Sequence, residues 1–500
     1  MRARTPSIVA LALALGALAA WRVACLRAGP DNDTDAYAHH MIARAILANP
    51  RDLAVHWVWL PLFHYAQVPL IALGGTMDDV RAANLGLAAA LPVLLFAYVL
   101  RTSRAAASGT VPEATALLAA LFAAACPIAM QMGTTAQPEP LFALLVLGVA
   151  VTFQRRRYGW AAALLGAAVM LRYEAWAALG TVALVIAVEP WWRRRRGLPP
   201  EPGAWRAWMV VAFPVALILG WAVLRRPVDG QWFGFLRQTH AFAADATHAR
   251  SPFDRGLLDL AHDVLHYPLI VPARVMGPAL PLVPFGVART VRQQGARFVL
   301  VLAACLGFVT LTWVMRSTLG LDRHFVCVVP LYATFAAQGA AAIADGVASL
   351  ARRFAGARAA ALGARLLAGA LAILSLAGLC VALDVWMGFW RATLAQGWPE
   401  RAALGAYLRS LPASTTVFCD DATLEILSGL DRRRFDRHWV DDPRTWDLVD
   451  DVARRQGVVY VATWRRKMSG HEPAGEIVFR AGVVAGDDQT SGVAVMRVRR

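Results

Sequence analysis

The feature that most limits this 500-residue chain is a succession of apolar runs of about 15–25 residues, separated by short clusters of arginine. As a helix rising 1.5 Å per residue, such a run covers the roughly 30 Å of a bilayer's hydrocarbon core. Hydrophobic residues make up 58% of the chain and charged residues 17%. Soluble domains sit near half apolar and a quarter charged, so both departures point to a membrane. The first run, residues 6–26, follows Arg2 and Arg4 like the h-region of a signal peptide. No convincing A-x-A site precedes the polar stretch, so an uncleaved first span is expected.

The formal net charge of +16 invites a nucleic-acid reading, but its distribution excludes one. Basic residues lie between the apolar runs: Arg101 and Arg104, 155–157, 193–196, then Arg289, Arg292 and Arg297, then Arg352, Arg353, Arg358 and Arg365. That is the pattern of the positive-inside rule, whereas a nucleic-acid footprint would be one patch on a soluble domain. Of six cysteines, Cys25, Cys126, Cys305, Cys327 and Cys380 fall in apolar runs and Cys419 in the tail. None has metal-ligand spacing, and small buried hydrophobes are expected.

With the N-terminus inside, the runs alternate consistently. After 6–26, the segment 29–81 is rich in Asp and suits the outer face; 82–100 returns to the Arg101–Arg104 cluster, 112–130 exits and 139–153 returns. A single helix over 159–190 would set the clusters 155–157 and 193–196 on opposite sides. Two short spans broken at Arg172-Tyr173-Glu174 keep both inside. Then 205–224 exits, 225–266 lies outside, 267–287 re-enters, 298–315 exits, 325–350 returns and 361–387 exits. The expected fold class is a polytopic α-helical membrane protein with about eleven transmembrane helices, N-in and C-out, over residues 1–395. Its outer segments are 29–81 and 225–266; in the first, the aromatic and His-rich stretch 56–65 suits a helix lying at the interface. In the second, Trp232, Phe233 and Phe235 alternate with Arg237, His240 and His248. Residues 396–500 are polar and read as a small C-terminal α/β domain outside the membrane. Its expected strands are 416–419, 457–463, 476–479 and 492–498, with helices at 400–410 and 443–456.

Candidate chemistry gathers on the outer face. Immediately after the first run stands Asp31-Asn32-Asp33-Thr34-Asp35-Ala36-Tyr37, followed by His39 and His40. Carboxylates two positions apart just outside a membrane helix can act as a general base, or can hold a divalent metal that grips a phosphate. A solvated acidic loop is the plain alternative. The same face carries His64, Glu139 in Gln137-Pro138-Glu139-Pro140, Arg172 and Glu174 at the break, and Arg323-His324 opening the run 325–350. Ionisable groups at membrane depth usually mark a site or an ion pair. For Arg172 and Glu174 a local structural pair is as good a reading as a functional one. Arg323 beside His324 suits an anion such as phosphate.

These motifs, in this order and on one side, resemble the GT-C-fold glycosyltransferases that use polyprenyl-phosphate sugars. That superfamily includes protein O-mannosyltransferases, lipid A aminoarabinose transferases and the catalytic subunit of oligosaccharyltransferase. The resemblance covers roughly residues 1–395 and rests on 33–37, 59–65, 138–142, 172–176 and 322–324 leading into Pro330-Leu331. It implies that Asp35 or Asp33 acts at the reaction centre and that Arg323 binds the lipid phosphate. The chain has Asp-x-Asp where the O-mannosyl and aminoarabinose branches have Asp-Glu, and it lacks a Trp-Trp-Asp acceptor motif. No single branch is therefore indicated.

The expected protein is thus a bacterial inner-membrane glycosyltransferase moving a hexose or pentose from a polyprenyl-phosphate donor to a lipid, glycan or protein acceptor at the outer face. Asp35 and Asp33 are the candidate catalytic residues, and would also be the ligands of any metal. Arg323, His324 and Arg172 are the candidate phosphate binders, with Tyr37, His40, His64, Glu139 and Glu174 lining the substrates. The rival reading is a transporter or lipid flippase. Transporters favour internal repeats and polar sites at broken helices near the midplane; here no repeat is visible and the polar residues sit at run ends.

Overall fold

The computed structural model describes residues 5–105, 112–199, 203–246, 255–352, 357–436, 443–468, 475–482 and 492–499. The chain divides into two compact units, Met1–Arg27 with Ile46–Arg391, and Ala28–Ala45 with Ala392–Arg500. The expected boundary at 395/396 took no account of 28–45, which groups with the C-terminal part.

The first unit is a polytopic helical membrane domain. Among the described residues, eight helices are long and apolar enough to cross a bilayer, including Pro6–Ala28, Met77–Ala105, Glu174–Arg195 and Ala296–Val314. Three shorter apolar helices, Pro112–Ala124, Glu139–Gln154 and Tyr158–Val169, occupy segments where spans were expected. They fall below the ~17 residues of a straight crossing. Length alone therefore supports eight crossings, and the expected total of eleven depends on those three.

Burial separates the centre of this unit from its rim. Of the apolar window in Asp322–Ala351, 89% is buried, against 17% in Pro6–Ala28. The central helix achieves this with small residues, its buried positions including Ala333, Ala336, Ala337, Gly339 and Ala340. Lipid is as apolar as leucine, so helices in membranes associate by close packing rather than by escape from water. The helices Val283–Gln294 and Val329–Ala351 show this directly. A Cβ on Gly286 would meet the Phe335 carbonyl oxygen at 1.8 Å, and one on Gly339 would meet that of Leu282 at 1.9 Å. At that crossing the two backbones touch.

The break expected at Arg172-Tyr173-Glu174 is present. The helix Tyr158–Val169 ends with Met170 to Tyr173 in turns, and Glu174–Arg195 begins at once. The turn is tied to the outer segment: the Leu62 N–H donates to the Met170 carbonyl at 2.9 Å and the Tyr173 hydroxyl to that of Val58 at 2.7 Å. The stretch 56–65 forms two short helices, Leu53–His56 and Leu62–Ala72, around a turn in which Trp57 adopts φ 47°. The second outer segment is helical over Gly234–Ala246 and Leu257–Leu265. His248 lies outside the described residues.

The second unit contains a five-stranded sheet built from β1 (Val417–Cys419), β2 (Phe435–Asp436), β3 (Val458–Trp464), β4 (Glu476–Ala481) and β5 (Val493–Arg499), in the order β2-β1-β3-β5-β4. β2, β1 and β3 run parallel; β5 is antiparallel to both its neighbours. The period-2 alternation of a strand sorts its side chains onto two faces. Phe418, Val459, Val461, Ala494, Met496 and Val498 pack on one face with Trp446 and Val449 of the helix Pro443–Gln456. Val417, Cys419, Tyr460, Ala462, Val493 and Val495 pack on the other with Leu404 and Leu408 of Pro399–Ser410 and Leu424 of Ala422–Ser428. Helices on both faces of this mixed sheet make it an α/β layer structure. β2 and Ala422–Ser428 were not expected; at two and seven residues both are too short to leave a periodic signal.

Candidate functional site: a buried ion cluster and an aspartate turn

In the first unit, five of the candidate residues come together although 185 positions separate the first from the last. Glu139 opens the helix Glu139–Gln154 and Glu174 opens Glu174–Arg195. Both carboxylates thus sit at helix N-termini, where the backbone dipole favours negative charge. Arg172, held in the break between two helices, bridges them. Its Nη1 donates to Glu139 Oε1 at 2.6 Å, its Nη2 to Glu174 Oε1 at 2.8 Å and its Nε to the same oxygen at 3.1 Å. Burial alone would lower the Arg172 pKa, but Glu174 and Glu139 outweigh it and hold the guanidinium above its ordinary value.

Arg323 and His324 enter from the 3-10 helix Asp322–Val328. Arg323 Nε lies 3.6 Å from Glu139 Oε1, and His324 Nδ1 lies 3.7 Å from Glu174 Oε1 and 3.5 Å from the Thr318 hydroxyl. The Tyr267 ring stacks on His324 with centroids 6.4 Å apart. Asp322, next to Arg323 in sequence, accepts from Arg274 at 2.8 Å. The carboxylates of Glu139 and Glu174 are 2% and 4% exposed as residues, and Arg172, Arg323 and His324 keep 14–15% of their side chains open. Glu139 Oε2 is buried with no hydrogen-bond partner, an acceptor waiting for a donor.

His64, also expected at a site, is fully buried and shares a hydrogen bond with His56, Nδ1 to Nδ1 at 2.9 Å. Burial and the nearby Arg225 guanidinium push the His56 pKa down to about 3, so that ring stays neutral. His56 Nε2 is buried without a partner, with the Trp221 ring edge-on at 5.1 Å. Arg225 donates to the carbonyls of Leu53 and Trp57 and pairs with Asp229 at 2.6 Å, fixing the turn that carries His56. Neither His56 nor Arg225 was picked out from sequence. His56 opens the same aromatic stretch as His64, and that shared stretch was the available signal.

In the second unit, the acidic motif forms a succession of side-chain turns. The Asp33 N–H donates to Asp31 Oδ1 at 3.1 Å and the Asp35 N–H to Asp33 Oδ1 at 3.0 Å, at the start of the helix Thr34–Ala48. Asp is suited to this because its short side chain reaches a backbone N–H two residues on. The Tyr37 hydroxyl donates to the Asp31 carbonyl at 2.9 Å, which also accepts from Trp398 Nε1 at 3.1 Å. His40 is 5% exposed. Asp33 and Asp35 are partly open, as a base or ligand must be. Among the described residues no three His, Cys, Asp or Glu side chains gather as a metal would need.

No family model matches the chain, and no curated protein matches its sequence. Solved structures do. ArnT from Cupriavidus metallidurans bound to undecaprenyl phosphate superposes with a TM-score of 0.60 at 16% identity, over 99% of this chain and 98% of that one. The apo state of the same protein gives 0.57 at 17% identity with the same coverage. The chain has the GT-C fold. The Archaeoglobus fulgidus oligosaccharyltransferase tethered to an acceptor peptide matches at 0.49 and 12% identity, over 91% of this chain and 69% of that one. Identities this low speak to architecture alone, and for that reason the residues above carry the chemical argument.

Proposed function

We propose that the protein is a membrane glycosyltransferase that moves a hexose or pentose from a polyprenyl-phosphate donor to a lipid, glycan or protein acceptor at the outer face of a bacterial inner membrane. The observation that carries this reading is the buried cluster of Arg172, Arg323, His324, Glu139 and Glu174, with Glu139 Oε2 left unpartnered. Its support from outside the chain is a neighbour of the same fold solved with undecaprenyl phosphate.

The reaction makes definite demands. An acceptor hydroxyl must lose its proton, its oxygen must bond to the anomeric carbon, and the bond from that carbon to the phosphate oxygen must break. The leaving polyprenyl phosphate takes up the bonding pair as negative charge. Asp35, or Asp33 beside it, is assigned the proton, as a partly open carboxylate at a helix start. Arg323, His324 and Arg172 are assigned the phosphate, because charge-assisted donors in a water-poor site stabilise developing charge best. Glu139 and Glu174 orient the guanidiniums, and Glu139 Oε2 has the chemistry to accept from a sugar hydroxyl. Tyr37, His40 and His64 are assigned to lining the substrates. A metal at Asp33 and Asp35 would draw its remaining ligands from water or substrate, and no step above depends on it.

The test is transfer of label from synthetic polyprenyl-phosphate pentose and hexose donors by the purified protein, supplied with a lipid extract as acceptor. Release of free polyprenyl phosphate that stops in Arg323→Ala is the expected result. Uptake or flipping of the intact donor in vesicles without cleavage would establish the transporter reading instead.

A further inference from the structure

The apolar stretches Leu257–Gln294 and Ala296–Val314 are each long enough to cross a bilayer, and the helix Leu257–Leu265 packs against Ala296–Val314. Arg255 stands just before the first stretch and Arg316 just after the second. Both reach one carboxylate. Arg255 Nη1 and Arg316 Nη2 donate to the same oxygen, Asp263 Oδ2, the second at 3.0 Å, and Arg316 Nη2 also lies 3.0 Å from Oδ1. Two guanidiniums that share an oxygen lie beside each other. Their side chains are 7% and 19% exposed, and that of Asp263 is 3% exposed.

Hydrogen bonding at this point is unbalanced. Asp263 already accepts from both arginines, and the Val314 carbonyl accepts from Arg255 Nη2. Arg255 Nε and Arg316 Nη1 are nonetheless buried N–H groups with no acceptor among the described residues. The Trp313 ring lies under Arg316, its centroid 3.7 Å from Cζ, and Trp313 Nε1 is a third such donor. Charge is unbalanced in the same sense. Asp263 is the one carboxylate among the described residues that pairs with either arginine. Asp322 is held by Arg274 at 2.8 Å, and His262, 3.8 Å from Asp263 Oδ1, brings no negative charge. A buried charge that no counter-ion balances is costly, and so marks a place where a partner is still to be supplied. The backbone is unusual here too. Arg316 adopts φ 52°, and Leu257–Leu265 runs into a π-helical turn, His266–Ile270, a form that concentrates at functional sites.

We propose that Arg255 and Arg316 together hold the phosphate of an anionic phospholipid of the bilayer. The free oxygens of a phosphodiester accept charge-assisted bonds from two adjacent guanidiniums, and a negative headgroup cancels the remaining positive charge. Trp313 stands at a span end, where indoles sit at headgroup level. Leu257, Leu258, Leu311 and Met315, all exposed at the same two ends, offer apolar surface to the acyl chains. The site does not depend on glycosyl transfer, and neither arginine belongs to the cluster of Arg172 and Arg323.

Native mass spectrometry of the full chain in detergent tests this, with phosphatidylglycerol as probe and zwitterionic phosphatidylethanolamine beside it. The wild type retains phosphatidylglycerol in preference. Arg255→Met and Arg316→Met each leave the other arginine on Asp263, so neither strands the carboxylate. Each lowers phosphatidylglycerol affinity at least about tenfold, the loss expected for one charge-assisted contact. Arg316→Lys lies between, because an ammonium keeps the charge without the planar fork, and it decides the matter if the Met variants do not fold. Arg51→Ala, at an exposed arginine elsewhere in the unit, leaves retention unchanged. Equal retention by the wild type and the folded variants at 255 and 316 overturns the proposal, as does equal retention of the two lipids by the wild type. So does thermal protection by inorganic phosphate in the absence of any lipid binding.

Discussion

Arg172 and Glu139 are 33 positions apart in sequence and 2.6 Å apart in space, and both are largely removed from solvent. A pair of this kind binds two helix starts to one interhelical turn. Breaking it from one side should therefore cost far more than breaking a surface bridge. Arg172→Leu strands Glu139 and Glu174 as buried charges, and a loss of about 3–5 kcal/mol is expected. Adding Glu139→Gln should recover part of that loss, with a coupling of about 0.5–3 kcal/mol in a double-mutant cycle followed by thermal unfolding in detergent. Strictly additive losses would mean the two side chains do not act together.

Arg323 lies farther from Glu139 than Arg172 does, at 3.6 Å against 2.6 Å, and is assigned the donor phosphate. Arg323→Ala should weaken polyprenyl-phosphate binding by about 1.5–3 kcal/mol, read as the donor's dissociation constant, while acceptor affinity holds. Arg323→Lys should rescue only partly, since an ammonium lacks the planar pair of donors. Lys substituting freely would make Arg323 an anchor of its helix.

Asp35→Asn should remove transfer while leaving expression and membrane insertion intact, because the turn at 31–35 uses the oxygens of Asp31 and Asp33 on backbone N–H groups. Asp33→Asn keeps an oxygen for the Asp35 N–H and so tests its charge alone. Full activity in both variants would return the motif to a capping role.

The His56 ring makes stability depend on pH in a fixed direction. Its pKa is about 3 in the folded protein, against an ordinary value of about 6.5, so the unfolded chain binds a proton in that window that the folded chain refuses. Stability should be unaffected above pH 6.5 and fall as pH drops below it, by about 1.4 kcal/mol per unit from this group. His56→Gln should flatten that part of the profile in thermal unfolding scans. An unchanged slope would show that His56 is protonated in the native state.

Orientation is open to a direct measurement. A phosphatase fusion at Pro399 should be active and one at Arg195 inactive, since arginines cluster on the retained side. The opposite pattern would invert the topology and move the whole candidate chemistry to the cytoplasm.

What the sequence disclosed follows physical lines. Spans were legible because hydropathy over some twenty residues is a strong signal. The break at 172–174 was legible through charge: two arginine clusters had to share a side. The assembly of Glu139, Arg172, Glu174, Arg323 and His324 was foreseen only as a shared face, since ion-pair partners 33 and 184 positions apart leave no local pattern. The bond made by the Tyr37 hydroxyl was not foreseen for a related reason, because its partner is a backbone carbonyl, which every residue carries.

The contact between Gly286 and Gly339 has a consequence for how this chain can vary. Each glycine exists to admit the backbone that the other belongs to, so the two positions share one requirement. A first substitution, at either, must push the helices apart and should be severe. Once that separation exists, the second glycine has no close neighbour left to accommodate, and its replacement should cost little more. The pair is therefore a case of strong epistasis, and a lineage that loses one of these glycines is under no further pressure to keep the other.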